Sequence, residues 1–244
     1  MSDAARRLAG IPDDAPKYPQ GVTMARVLRD KWHRASDVGP LKYDLEHCLA
    51  DLPRASATTI LDWVKDYGFG GRADKGLLLT GNNGSGKTTL AKAIAHRVIE
   101  TSKLATLGRT EFMVPHQPVL FIGWINYLAE VQRRMSLEAR KQYDDEFYAL
   151  DLRISSIAVE SRKPEWQVKL AVLDDIGAEY DSGSGWAHVE LNKVLRSRGH
   201  AGLLNIATTN TALQNWTTKY GPQVGSYGHE AFLEVKVATE DRRK

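Results

Sequence analysis

Cysteine is almost absent: the 244 residues contain one, Cys48, so no internal disulfide can form and a disulfide framework is excluded. A lone thiol fits a reducing cytosol. No apolar stretch approaches the length of a membrane span. Residues 1–10 carry arginines without the apolar segment of a signal peptide. A soluble cytoplasmic protein with no membrane partner is expected. Neither sign of charge dominates, since 33 Lys+Arg against 30 Asp+Glu leave a net charge of +3. That is too mild to announce a nucleic-acid binder by itself, although a pI near 8.9 permits one. There is no internal repeat and no low-complexity tract. What is present is an ordinary globular balance, 42% hydrophobic and 26% charged residues, which argues against disorder. The length suits one large α/β domain, or a nucleotide-binding domain with a small helical one.

The chain changes grammar along its length. Pro12, Pro16 and Pro19 predict an irregular arm over residues 1–20. From Gly21 to Tyr67 apolar residues recur at helical spacing: Val22, Ala25, Leu28 and Trp32, then Ile60, Val64 and Tyr67 after the capping candidate Ser56. Residues 68–74 break the helix and read as a linker. Thereafter strands and helices alternate. Short apolar runs predict strands at 76–80, 119–124, 170–173, 203–207 and 233–237, with helices over 87–100, 126–135 and 188–196. Continuous apolar strands between helices imply a mostly parallel five-stranded sheet covered on both faces, an α/β fold.

One motif carries the chemistry. Gly81-Asn82-Asn83-Gly84-Ser85-Gly86-Lys87-Thr88 satisfies G-x-x-x-x-G-K-[ST] at every position, and Thr89 continues into the helix. The glycines allow backbone geometries that turn successive N–H groups around phosphate oxygens. The following helix contributes its free N-terminal N–H groups and positive dipole end. Lys87 neutralises charge on the β- and γ-phosphates, and the Thr88 hydroxyl is a ligand for Mg²⁺. ATP and Mg²⁺ are therefore the expected cofactors. A second requirement is a carboxylate at a neighbouring strand end to hold the metal's water shell. Leu170-Ala-Val-Leu-Asp174-Asp175 supplies Asp174 for Mg²⁺ and Asp175 to orient or deprotonate the attacking water, with Glu179 the less direct alternative. Asn210, closing Ala207-Thr-Thr-Asn, is a polar strand end able to hydrogen-bond the γ-phosphate or that water. A small-molecule kinase on the same loop would call for an arginine-rich lid and leaves the Thr-Thr-Asn strand end without a purpose.

The order P-loop, strand-Asp-Asp, Thr-Thr-Asn resembles an AAA+ ATPase, and finer matches resemble the DnaC/DnaI-type helicase loaders and their IstB-type transposition relatives. The similar segments are Lys75-Gly-Leu-Leu-Leu-Thr-Gly81, Val119-Leu-Phe-Ile with Leu128-Ala-Glu-Val-Gln-Arg133, Leu173-Asp-Asp-Ile-Gly-Ala-Glu179, Glu190-Leu-Asn-Lys-Val-Leu-Arg-Ser-Arg198 and Ile206-Ala-Thr-Thr-Asn210. The likeness covers residues 55–244. It implies a three-layer AAA+ sandwich, preceded over residues 1–54 by a helical region that docks a partner. The implied job is loading a hexameric replicative helicase onto single-stranded DNA, with possible self-assembly; the IstB-type relatives imply a transposase as partner instead. A sensor 2 arginine is implied near the C-terminus, where Arg243 fits best and Arg242 is its neighbour. The family's arginine finger falls in a stretch that here reads Gly225-Ser-Tyr-Gly-His-Glu-Ala-Phe-Leu233, without arginine. Arg196, Arg198 or a partner protein would have to substitute, or hydrolysis is slow or partner-stimulated.

Two connections are long, 104–118 and 136–169, and long structured insertions often bind something. In initiator-type AAA+ proteins the second region can carry a helix that touches single-stranded DNA. Arg133, Arg134, Arg140, Lys141 and Tyr143 offer phosphate contacts and a stacking ring for such a role, and a solvated helix face explains them about as well. The same solvated reading applies to Arg162-Lys163. Trp186 and Trp216 are read as packing residues rather than base stackers.

Overall fold

The computed structural model describes residues 24–68, 73–104, 117–159, 167–179 and 185–237. The predicted arm at 1–20, the heart of the 68–74 linker, Arg162-Lys163, Arg242 and Arg243 lie outside them, as does most of the 104–118 connection.

The helical stretch before the sheet divides into α1 (Met24–Ala35), α2 (Leu45–Ala50) and α3 (Arg54–Gly68). The breaks have local causes. Asp37 and Gly39 take left-handed backbone, with φ of 55° and 72°, and Pro40 follows. Asp44 then restarts the chain as an N-cap, its carboxylate accepting the His47 N–H at 2.8 Å. The sheet and its helices follow as β1 (Gly76–Thr80), α4 (Lys87–Thr101), β2 (Val119–Gly123), α5 (Trp124–Ala139), α6 (Asp145–Ile157), β3 (Leu170–Ile176), α7 (Trp186–His200), β4 (Leu204–Thr209), α8 (Trp216–Tyr220), α9 (Pro222–Ala231) and β5 (Phe232–Lys236). No helix among the described residues is long and apolar enough to cross a membrane.

All strand pairs are parallel, in the order β2-β3-β4-β1-β5. The two-residue period of a strand separates two cores. Leu77 and Leu79 face a cluster built with α1 to α4, which takes in Leu28, Trp32, Leu45, Ile60, Ile94 and Val98. Leu78 faces the other, which holds Trp124, Tyr127, Ile154, Leu191 and Trp216 from α5 to α8. The result is the expected three-layer α/β sandwich. Chain leaving β1 crosses toward β2, whereas chain leaving β4 crosses β1 to reach β5. A crevice therefore opens beyond the carboxyl ends of β1 and β4, where ligands sit in open α/β sheets.

Several elements run further than their apolar signals. β3 continues through Asp174 and Asp175 to Ile176, because Gly123 still pairs with Asp174 and Ile176 pairs with Thr209 beyond a register shift. The described part of the 136–169 connection is largely helical: α5 runs to Ala139 with Leu137 fully buried, and α6 follows from Asp145 to Ile157 behind its N-cap Asp144. Helix α7 extends to His200, and this corrects the suggestion that Arg198 serves as an arginine finger. Arg198 is completely buried. Its Nε donates to Asn205 Oδ1 at 2.5 Å, and its two amino groups donate to the carbonyls of Ile157, Val168, Lys169 and Leu204 at 2.9–3.3 Å. It pins the chain entering β3 and β4. Burial lowers its pKa to about 10, so it stays charged at neutral pH. Arg196 is also engaged: its Nε donates to Asn192 Oδ1 at 2.9 Å, and its guanidinium lies 5.0 Å over the Tyr227 ring.

Candidate functional site

Strand β1, buried along its whole length, delivers the chain to Gly81 at the mouth of the crevice. The loop then takes conformations that side-chain-bearing residues resist, with φ of 157° at Gly81, 76° at Gly84 and 92° at Gly86. Gly81 is also sterically required: a Cβ there would lie 2.9 Å from the Val237 carbonyl and 3.0 Å from Ser85 Oγ. Gly86 caps α4 without any side-chain bond, so the first N–H groups of that helix point into the loop.

Lys87 is nearly buried, 7% exposed, and closes the loop from within. Its Nζ donates to the carbonyls of Gly81 and Asn82 at 3.0 and 2.8 Å and to Asn210 Oδ1 at 2.7 Å. The Asn210 amide in turn donates to Asn83 Oδ1 at 2.7 Å. The end of β4 thus touches the P-loop through one asparagine. Thr88 Oγ1 donates to the Asp174 carboxylate at 3.0 and 3.2 Å, and Thr208 Oγ1 donates to the same group at 2.7 Å. Thr208 also accepts the Asp175 N–H at 2.8 Å. Burial raises the Asp174 pKa, against the bonds from Thr208 and Thr88, which favour the carboxylate. Asp175 is exposed and has φ of 62°, at the register shift where β3 parts from β4. Such a shift re-aims a side chain, and the strained backbone marks a position held for a purpose. Glu179, the alternative base, instead accepts the Gly177 N–H at 2.6 Å.

The residues fit ATP with Mg²⁺. The loop offers a glycine cradle and the N-terminal end of α4, Ser85 Oγ is buried without a hydrogen-bond partner, and Thr88 with Asp174 forms a hard-oxygen pair suited to Mg²⁺. A cavity of about 430 Å³ opens from the loop, bounded by Gly84 to Thr89, Asp175 and Val237 on one side. Its other wall comes from the approach to α2 and that helix itself: Lys42, Tyr43, His47 and Asp51. The Tyr43 and His47 rings stack at 4.3 Å and 12°. No motif marks this wall; the four-residue step across the Asp44 cap was its one sequence signal. Within the Thr-Thr-Asn strand end the sequence points to Asn210 and not to Thr208, and nothing in it marks Lys219. Lys219 Nζ donates to the Gly177 carbonyl at 2.9 Å and to Thr211 Oγ1 at 3.2 Å, joining α8 to the segments after both aspartates and Asn210.

Among the proposed DNA contacts, Arg133 is held by Glu146 at 2.8 and 2.9 Å and Arg134 by Asp151 at 3.2 Å. Arg140, Lys141 and Tyr143 are exposed. Trp216 is fully buried and packs as expected, and Trp186 is half-buried against the second core.

No protein-family model matches the chain, and no curated protein matches it. Solved structures do. The DnaC helicase loader shares 19% identity over 85% of this chain and 98% of its own, with a TM-score of 0.52. DnaI shares 19% over 82% and 92%, with a TM-score of 0.50. The replication initiator DnaA bound to AMPPCP and single-stranded DNA shares 15% over 85% of this chain, with a TM-score of 0.53, and this chain spans 53% of it. At these identities the likeness is one of architecture alone, and that architecture is shared with the solved chains of DnaC, DnaI and DnaA.

Proposed function

We propose that this chain is an AAA+ ATPase of DNA replication, which uses ATP and Mg²⁺ to load a replicative helicase onto single-stranded DNA. The observation that carries the reading is the closure of one site by three elements: Lys87 bonded to Asn210, and Thr88 bonded to Asp174. A P-loop used only as a turn has no need to meet the ends of β3 and β4.

Thr88 and Asp174 would hold Mg²⁺, which supplies charge neutralisation at phosphate oxygens. Lys87 exchanges the Gly81 and Asn82 carbonyls for the β- and γ-phosphates. Asn210, released from Lys87 and Asn83, is free to sense the γ-phosphate, which ties nucleotide state to β4. Asp175 orients or deprotonates the attacking water. Arg243, outside the described residues, would serve as the sensor 2 arginine. Where the loaders' finger is expected, α9 carries no arginine, and Gly225 and Gly228 are packed on Thr217 and Trp216. Without an arginine from this helix, hydrolysis would be slow or would wait on a finger supplied by a partner, so ATP acts here more as a switch than as fuel.

A pull-down from the native host tests the class. Capture of a hexameric helicase supports loading; capture of a transposase overturns it in favour of the IstB-type role. ATP binding that leaves single-stranded DNA affinity unchanged at low and moderate salt overturns the switch.

A further inference from the structure

A second constellation lies on the same helix as the P-loop, further along it. Helix α4 carries His96 and Glu100 one turn apart, on one face. Helix α1 crosses there and adds His33, whose ring stacks on His96 at 4.7 Å and 27°. One ligand atom from each of the three lies within 4.8 Å of the others, a grouping met once among the described residues.

Neither nitrogen of His33 is satisfied by an ordinary hydrogen bond. Nδ1 is buried with no partner, and Nε2 stands 3.9 Å from Glu100 Oε1, beyond hydrogen-bond reach. A buried unpaired ring nitrogen calls for an explanation. His96 shows the complementary feature. Its Nε2 lies 2.9 Å from the Gly39 carbonyl, which can only accept, so Nε2 carries the proton and Nδ1 keeps its lone pair. A backbone carbonyl fixing one ring N–H is the usual outer support of a metal-binding histidine. Arg29, the nearby cation, has its guanidinium on the carbonyls of Ile99, Glu100 and Ser102.

We propose that His33, His96 and Glu100 bind a divalent transition metal of the zinc class, clipping α1 to the P-loop helix. Two imidazoles and one carboxylate are a sufficient protein ligand set, with water completing the shell. Bonds of about 2 Å require the three tips to close by roughly an ångström: the exposed Glu100 side chain swings in, and the stacked His33 and His96 rings turn so that their in-plane lone pairs converge. The imidazoles discriminate against Mg²⁺, which prefers oxygen, so this site is distinct in chemistry from Thr88 and Asp174. It does not depend on the reading of the P-loop as an ATPase site.

The test uses the full chain, stripped with chelator and titrated with ZnCl₂ in excess Mg²⁺. Uptake of about one Zn²⁺ per chain is expected, weakened at least tenfold in each of His33→Gln, His96→Gln and Glu100→Gln and unchanged in His188→Gln. Zn²⁺ at a hundred times Kd raises the wild-type Tm by about 5 °C and leaves that of Glu100→Gln unmoved. Glu100 is exposed, so this variant keeps the test valid where a histidine variant fails to fold. Co²⁺ gives visible absorption bands that the same three variants lose. Absence of Zn²⁺ uptake, or uptake that all three variants retain, overturns the site.

Discussion

Lys87 and Arg198 are both cations buried in the same domain, and the difference between them separates function from framework. Arg198 has no exposed surface, and its bonds all go to protein groups that cannot leave: one asparagine amide and four main-chain carbonyls. Lys87 keeps a 7% opening to the cavity and rests on two loop carbonyls and Asn210. On the proposed function those acceptors are the ones that phosphate oxygens would replace. Burial of charge is thus no mark of a site; exchangeable partners are.

Substitutions can break this contrast. Arg198→Leu leaves four carbonyls and Asn205 without their donor and should cost about 3–5 kcal/mol. The thermal midpoint falls by roughly 10 °C or more, while the folded fraction keeps its ATP affinity. A loss of affinity without a fall in Tm would erase the contrast. Lys87→Ala should do the reverse, weakening ATP by about a hundredfold, or ~2.7 kcal/mol, in an equilibrium titration, with little change in Tm without nucleotide. Normal affinity in that variant would remove the phosphate-cradle role. Gly225→Ala tests the helix that stands where a finger is expected. A Cβ there lies 2.2 Å from Thr217 Oγ1 and 2.6 Å from the Thr217 backbone, so denaturant unfolding should show a loss of about 1–3 kcal/mol.

The smallest effect expected is at Asp174. Its folded-state pKa is raised, so the protonated form favours folding and that contribution is lost as pH rises through the folded pKa. In chelator at neutral pH, Asp174→Asn should therefore raise Tm, by about 2 °C, and the gain should vanish under acid, where the native aspartate is protonated. The same variant should lose the added stabilisation that Mg²⁺ gives with ATP. A lowered Tm in chelator would contradict the burial argument.

How much of this was legible before the structure depends on the range of the interactions. β1 and the P-loop follow from local rules, an apolar run and glycines at fixed offsets, and both stand where the sequence placed them. Asp174 and Asn210 were legible because each closes an apolar strand. Their meeting with Thr88 and Lys87 is then a consequence of β3, β4 and β1 lying side by side. Arg198 was misread because a helix-borne arginine looks the same whether it ends in solvent or among carbonyls supplied by three other segments. The meeting of Tyr43 and His47 with the P-loop, and the His33–His96–Glu100 group, escape sequence reading for the same reason. Each arises where an N-terminal helix lands on the sheet domain, and no spacing rule encodes that landing. The boundaries of β3, α5 and α7 ran past their apolar signals because strand pairing and helix caps, rather than hydropathy, end them.

Glu234 of β5 gives this architecture a mechanical property. A single oxygen, Oε1, accepts the Thr80 hydroxyl at 2.9 Å, just before the P-loop, and the Leu213 N–H at 3.2 Å, just after the turn that follows Asn210. Val237 N–H adds a bond to the Thr80 carbonyl at 2.7 Å. The last strand therefore holds both chain exits that frame the site with one hand. Force applied at the C-terminal end of β5 would therefore load the P-loop and the Asn210 turn together, through one carboxylate and one main-chain bond.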